Sequence, residues 1–369
     1  MNHILYIITR SDDIGGAQVH VRDMALYSIR NGFKVSVIVG GNGIYIDHLK
    51  KNGITVYPIN NLRREINLHY DLKVFQEIFK LITKISPDII SIHSSKVGII
   101  VRILKILFKL PPCIFTAHGW SFSSKVSNLR SKIFLYLEKL MMFGTSTLIT
   151  ICKSDYELAI KNNFIKKNKI KLIHNGMPYL KTPQRGIKPN GHKFKLISVA
   201  RFELQKDHET LIKALSYLKS FSWELLLVGD GPLKNKIESF VKKYEIGNRV
   251  YFLGRRTDVA SLLEESDIFI LSSLWEGFPR SILEALRASM PVITSRVGGV
   301  EESVIDKYNG FIVPVKDARS LALAIEKLLK NPKKCADFGL NGRKIYENNF
   351  VFDRMAEKTF KIYLELLNS

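Results

Sequence analysis

Short apolar runs alternate with longer amphipathic stretches along the whole chain. Ile4–Thr9 reads as a strand, a Gly15-Gly16 loop follows, and a helix begins at about Ala17. Val35–Val39, Thr55–Tyr57, Ile89–Ile92, Cys113–Thr116 and Thr147–Ile151 read as further strands, most of them separated by helical stretches. A second series opens at Lys195–Ala200 and continues with Glu224–Val228, Val250–Leu253, Ile268–Leu271, Val292–Thr294 and Phe311–Val313. Short, uniformly apolar strands alternating with helices predict a parallel sheet covered on both faces. Two such series predict an α/β protein with two Rossmann-like domains. Pro178, Pro183, Gly186, Pro189 and Gly191 crowd the segment Met177–Lys193, which lacks apolar periodicity and marks the boundary. The expected division is residues 1–180, residues 190–350, and a terminal segment 351–369 in which Phe352–Leu367 reads as an amphipathic helix.

Composition and charge narrow the class. The 369 residues are 46% hydrophobic and 24% charged, which describes a globular protein long enough for two domains. Cys113, Cys152 and Cys335 are scattered and form no CxxC pair, so neither a disulfide framework nor a zinc site is expected. The scattered cysteines fit a reducing cytoplasm, and the N-terminus runs straight into a strand without the features of a signal peptide. The net charge of +22 is uneven: residues 1–185 hold 27 Lys and Arg against 11 Asp and Glu, a surplus of +16, and the rest hold +6. Nucleic acid, an anionic membrane face or a phosphorylated substrate would each account for the surplus. No apolar run is long enough to span a bilayer. In Ile99–Leu110, Arg102, Lys105 and Lys109 share one helical face, which suits a helix lying on acidic headgroups. It equally suits a helix packed on a sheet with a basic outer face, and periodicity does not separate the two.

Candidate chemistry gathers where strands end. Glu276-Gly-Phe-Pro-Arg-Ser-Ile-Leu-Glu284 follows the strand Ile268–Leu271. It predicts Glu276 in the loop and Glu284 about two turns into the next helix. Ligands of open α/β sheets bind at that edge, and two carboxylates there suit a polyhydroxylated ligand. Arg201 and Lys206 flank the loop after the first strand of the second series, where two cations suit a diphosphate. Gly229-Asp-Gly-Pro232 and Gly298-Gly299 read as strand-to-helix turns, and a tight turn alone explains Asp230. In the first series, Gly15 and Gly16 open a helix whose N–H groups suit an anion, although the loop is not GxGxxG. His118, in Phe115-Thr-Ala-His-Gly-Trp-Ser-Phe122, is placed to touch a sugar hydroxyl or handle a proton, although a lone histidine is more often structural. His93 ends the preceding strand, and Ser94, Ser95 and Lys96 at the next helix start suit an acceptor phosphate. The chain lacks Asp-x-Asp, HExxH, Walker A and Gly-x-Ser-x-Gly motifs and any RNA-recognition signature. A metal-free enzyme without a cofactor follows more readily than a metal-dependent one.

Taken in order, these motifs resemble glycosyltransferase family 4, the retaining nucleotide-sugar transferases of GT-B fold, over nearly the whole chain. Phe115-Thr-Ala-His-Gly-Trp120 is similar to the subset that builds O-antigen, capsular or exopolysaccharide repeat units on a polyprenyl-diphosphate lipid. The resemblance implies a cleft between the two domains and a last helix crossing back to the first. It implies Arg201 and Lys206 on the donor diphosphate, Glu284 on the ribose, and Glu276 on the donor sugar beside Phe278 and Pro279. It further implies Gly15 and Gly16 near the phosphates, His118 near the reaction centre, and a front-face transfer that retains the anomeric configuration. Gln205 and Asp207 stand where many relatives have other residues around the lysine, and Arg280 has no assigned role. The expected donor is UDP-linked. The expected partners are a lipid-linked saccharide acceptor and an anionic membrane surface, without nucleic acid, at the inner face of the cell membrane. A GT-B-like UDP-sugar epimerase and a basic nucleic-acid-binding module remain as alternatives. The sugar, acceptor, linkage and oligomeric state are not legible in the sequence.

Overall fold

The computed structural model describes residues 1–63, 65, 67–120, 128–181, 183, 185–189 and 191–368. Ser121 and Phe122 of the His118 motif lie outside them. The chain folds as two units, Met1–Asn175 with Met355–Ser369, and Gly176–Arg354.

The first unit runs β1 (His3–Ile8), α1 (Gly16–Arg30), β2 (Lys34–Gly40), α2 (Ile44–Lys51), β3 (Thr55–Ile59), α3 (Leu68–Ile85), β4 (Ile89–Ile92), α4 (Ser95–Leu107), β5 (Cys113–Ala117), α5 (Asn128–Met141), β6 (Thr147–Thr150), α6 (Lys153–Lys161) and β7 (Ile170–Leu172). Among the described residues its sheet has seven parallel strands in the order β3-β2-β1-β4-β5-β6-β7. The second unit runs β8 (Phe194–Val199), α7 (His208–Ser216), β9 (Trp223–Val228), α8 (Lys234–Lys243), β10 (Val250–Gly254), α9 (Val259–Glu264), β11 (Ile268–Leu271), α10 (Arg280–Arg287), β12 (Val292–Ser295), β13 (Gly310–Val313), α11 (Ala318–Leu329) and α12 (Pro332–Asn349), after which the chain enters α13 (Phe352–Leu367). Its sheet has six parallel strands among the described residues, ordered β10-β9-β8-β11-β12-β13.

The two parallel α/β units bear out the predicted architecture. Strands β1, β4 and β11 are buried at every position because helices cover both faces, which is why their sequences do not alternate. In each sheet the first strand lies inside the order, with its successors on one side and the later strands on the other. The order therefore switches between β1 and β4, and again between β8 and β11, and the loops leaving those pairs diverge there. Strand β7 is absent from the sequence reading. Ile-Lys-Leu has only two apolar residues, so pairing with β6 rather than pattern makes it a strand.

From Met355 onward, α13 is part of the first unit. The Tyr363 hydroxyl lies 3.0 Å from Ser91 Oγ at the end of β4, and Phe360 packs edge-on against Tyr27 and Phe33. The three cysteines are free and buried, and burial pushes each thiol up to about 12.

Helix α4 corrects one expectation. Arg102 does not join an outer basic face: it is fully buried and its Nη2 lies 2.8 Å from Glu138 Oε2 on α5. Its Nε donates to the Gly98 carbonyl at 2.8 Å, and its guanidinium sits 4.1 Å from the Phe115 ring centre. Lys109 lies beyond the helix end. A charge so far from water is tolerated only while its partner stays. Glu138→Ala should destabilise the protein by about 3 kcal/mol, while replacing both residues (Arg102→Met with Glu138→Leu) should cost less. Urea unfolding of the three proteins checks this order.

Candidate functional site

The second unit places Arg201, Lys206 and Glu276 on loops that leave its switch point. Arg201 and Lys206 follow β8, and Glu276 follows β11. Lys206 Nζ lies 2.5 Å from Glu276 Oε1, with both side chains largely withdrawn from water. Ser273 Oγ donates to the same carboxylate oxygen at 2.6 Å, and Gln205 Nε2 reaches Glu276 Oε2 at 3.4 Å and the Trp275 carbonyl at 2.8 Å. The backbone closes the joint, as Leu274 N–H donates to the Gln205 carbonyl at 2.7 Å. Ser272 Oγ donates to the carbonyls of Lys206 and Asp207 at 3.1 and 2.9 Å. Gln205 and Asp207, which depart from the usual pattern, thus help hold the lysine loop to the glutamate loop.

Neighbouring loops press on this joint through glycines. Gly298 follows β12 with φ at +50°, and a Cβ there would lie 2.0 Å from the Glu276 carbonyl oxygen. Gly229 follows β9 with φ at +140°, and a Cβ would lie 2.1 Å from the Ala200 oxygen. Neither position accommodates a side chain without moving the loop that carries Glu276 or Arg201. Arg201 Nη2 pairs with Glu203 at 2.8 Å and stays a third exposed.

Glu284 lies in α10, but nearer its start than expected. The helix begins at Arg280, so Glu284 is its fifth residue, just past one turn. The extra residues of Gly-Phe-Pro remain in the loop. Burial raises the Glu284 carboxyl above its ordinary value, and the guanidinium groups of Arg280 and Arg287 pull it back. It lines a recess with Arg287, Lys181, Ala260 and Leu263. The Phe278 side chain is buried against Phe350, with ring centres 5.3 Å apart, and Pro279 precedes the first helical residue.

In the first unit the loops after β1 and β4 are joined by Ser94, whose Oγ accepts from Thr9 N–H at 3.0 Å and bonds Thr9 Oγ1 at 2.7 Å. Ser95 starts α4. Lys96 pairs with Asp71 at 2.7 Å and donates to the Glu65 carbonyl. Gly15 caps α1 in an extended conformation and Gly16 is its first residue.

His93 and His118 come together with a histidine to which the sequence reading gave no role, His20, one turn into α1. Their ring centres stand 5.0–5.4 Å apart. The signal for His20 was its place in the helix that follows the Gly-Gly loop. Buried His93 has Nδ1 3.1 Å from His118 Nε2 and Nε2 2.9 Å from Ser91 Oγ. Burial holds His93 well below its usual value, and neighbouring His118 adds to the effect, so His93 is a neutral donor and acceptor at pH 7. Ligating nitrogens of all three lie within 4.8 Å, a set chemically able to take a transition metal. The His93–His118 contact occupies one nitrogen of each of those two rings. Among the described residues, this is the cluster of His, Cys, Asp or Glu close enough to consider.

Another buried imidazole, His208, adjoins the lysine loop and packs edge-on against Phe202 at 4.9 Å. Burial, with Lys206 adding, pushes it down to about 4. The unfolded chain takes up this proton near pH 6.5, but the folded chain does not until about pH 4. Stability therefore falls as pH drops between those values, by about 1.4 kcal/mol per pH unit from this residue. Unfolding in urea at pH 7.5 and pH 5 should show a loss of about 2 kcal/mol that is missing from His208→Gln.

Comparison with known proteins follows the same division. Residues 14–178 match the family described as Glycosyltransferase Family 4, and residues 182–345 match Glycosyl transferases group 1. A UDP-Gal:alpha-D-GlcNAc-diphosphoundecaprenol alpha-1,3-galactosyltransferase of Escherichia coli is 28% identical over 91% of this chain and 90% of its own. The capsular polysaccharide biosynthesis glycosyltransferase CapM of Staphylococcus aureus is 27% identical over 85% and 86%. Among solved structures, HepE of Anabaena in complex with UDP and glucose superimposes with a TM-score of 0.82 at 21% identity, covering 98% of both chains. A glycosyltransferase from Rickettsia africae gives 0.81 at 22% identity, covering 99% of this chain and 98% of that one. Likeness at these identities assigns the fold, GT-B.

Proposed function

Because the chain belongs to the glycosyltransferases, a family 4 domain followed by a group 1 domain, we propose that it moves a sugar from a UDP-sugar to a saccharide carried on a polyprenyl diphosphate. The proposed setting is surface-polysaccharide assembly at the inner face of the membrane. The observation that carries this reading is the Lys206–Glu276 pair at the β8/β11 switch point. A cation and an acid held together there match the two halves of a nucleotide sugar, a diphosphate and a polyhydroxylated ring. The relatives named above support the donor and acceptor classes by their own activities.

In this reading the pair exchanges partners. The donor diphosphate takes Lys206 Nζ and Arg201, which releases the Glu276 carboxylate to accept from sugar hydroxyls. Glu284 holds the ribose, and Phe278 and Pro279 shape the turn between. Gly15 and Gly16, at the N-terminus of α1, serve the donor phosphates. His118 contacts the sugar beside the reacting bond and is backed by neutral His93. Ser94, Ser95 and Lys96 belong to the acceptor side. Transfer retains the anomeric configuration, with the departing diphosphate accepting the proton of the incoming hydroxyl. Catalysis is independent of metal. The basic surplus of residues 1–185 serves an anionic membrane surface and not nucleic acid.

Incubation with a panel of UDP-sugars and polyprenyl-diphosphate-linked acceptors, read by product mass, tests the proposal. One hexose-type increment should appear on acceptor only, and a chelator should leave the rate unchanged. Arg201→Ala, Lys206→Ala and Glu276→Ala should each lower kcat/KM by roughly 100-fold or more in a protein that still folds. Full activity in these variants, or interconversion of UDP-sugars without acceptor, would overturn the reading.

A further inference from the structure

Between Lys96 and Phe143 the sequence holds eight Lys and Arg and one acidic residue, Glu138. That glutamate is buried with Arg102, so it offers nothing at the surface. Helix α5 turns Lys132, Ile133, Tyr136, Lys139 and Leu140 outward, and Phe143 follows in the 3-10 turn Met142–Gly144. At 100° per residue these six side chains fall within an arc of roughly 120°. Tyr136 is 64% exposed and Phe143 84%, an unusual solvation for aromatic rings, while Glu138 and Met141 on the other side of the helix are buried.

The end of α4 continues this surface. Ile106, Leu107, Phe108 and Lys109 are all exposed. A Cβ on Gly144 would lie 2.3 Å from the Arg102 carbonyl oxygen, so the two elements touch beside Phe143. Ile106 stands one turn, about 6 Å, further along α4. Phe108 is braced from below by Phe79 of α3, with ring centres 4.4 Å apart.

Aromatic and aliphatic side chains exposed together on adjoining elements mark a docking face. The charges choose its occupant. In a symmetric pair of copies the same patch would meet itself. Lys109, Lys132 and Lys139 would then face their own counterparts with no acid from this segment to answer them. An anionic bilayer answers every one of these lysines and takes the rings at the headgroup–acyl boundary. No helix among the described residues is long and apolar enough to cross a membrane, so the contact would be lateral.

We propose that the outer face of α5 and the end of α4 form one membrane-docking surface for anionic phospholipid. The rings of Tyr136 and Phe143, with Ile106, Leu107, Ile133 and Leu140, enter the interface, and the lysines sit on lipid phosphates. The proposal deepens the reading above by naming the surface that meets the membrane. Its test uses no donor or acceptor, so failure of sugar transfer leaves it standing.

Flotation of the full chain is measured with vesicles of phosphatidylglycerol and phosphatidylcholine at about 3:7, and with phosphatidylcholine alone. The protein should float with the anionic vesicles and lose that association as salt rises. Lys132→Gln with Lys139→Gln should lower partitioning roughly 25-fold. Tyr136→Ser with Phe143→Ser should lower it roughly 10-fold or more. Both double variants should keep the thermal midpoint of the unaltered chain, since all four side chains face water. Variants that float as well as the unaltered chain would overturn the proposal. So would absence of flotation, alone or with a dimer in sedimentation that Phe143→Ser disrupts.

Discussion

Each unit is organised by the position of its first strand. Because β1 lies between β2 and β4, and β8 between β9 and β11, the chain sweeps one way across the sheet and then the other. The loops after the two central strands must part, and a parting of loops at the carboxyl edge is where backbone and side-chain groups can face a ligand. Such loops carry polar groups that a packed structure must satisfy. Here they satisfy each other: Thr9 with Ser94 in the first unit, Gln205 with Leu274 and Trp275 in the second.

The two switch points reach different electrostatic solutions on the same topology. The second keeps opposite charges in contact, Lys206 on Glu276, with Ser273 and Gln205 completing the carboxylate's hydrogen bonds. An ion pair with so little water around it is held in place because losing either partner strands the other. The first switch point instead gathers three imidazoles, and burial keeps at least His93 uncharged. Hydrogen bonds continue inward from His118 through His93 and Ser91 to Tyr363. The second edge thus carries paired charge, and the first a chain of hydrogen bonds that begins at imidazoles.

Arg102 shows how one buried charge redirects a surface. Paired with Glu138, its guanidinium faces the core, over Phe115. The apolar end of the same helix is left in water, next to the exposed stripe of α5. A pattern of basic residues that reads as one solvated face is thus divided between the interior and the rim.

The sequence by itself determined the parallel α/β class, nearly every strand, the division into two series, and the carboxyl-edge placement of Arg201, Lys206, Glu276 and His118. These come from local rules: a strand covered on both faces must be apolar throughout, and the chain must leave it through a loop at its carboxyl end. Only the tertiary structure decided the contacts across elements. Strand β7 exists because β6 offers it a hydrogen-bonding edge, and His20 meets His93 and His118 because α1, β4 and β5 converge. Glu284 lies one turn into its helix because Gly298 and the lysine loop hold Glu276 and Gly277 outside it. Arg102 is buried because an acid 36 residues away shares its interior site. Burial and pairing depend on distances through space between residues remote in sequence, and hydrophobic periodicity carries no record of those.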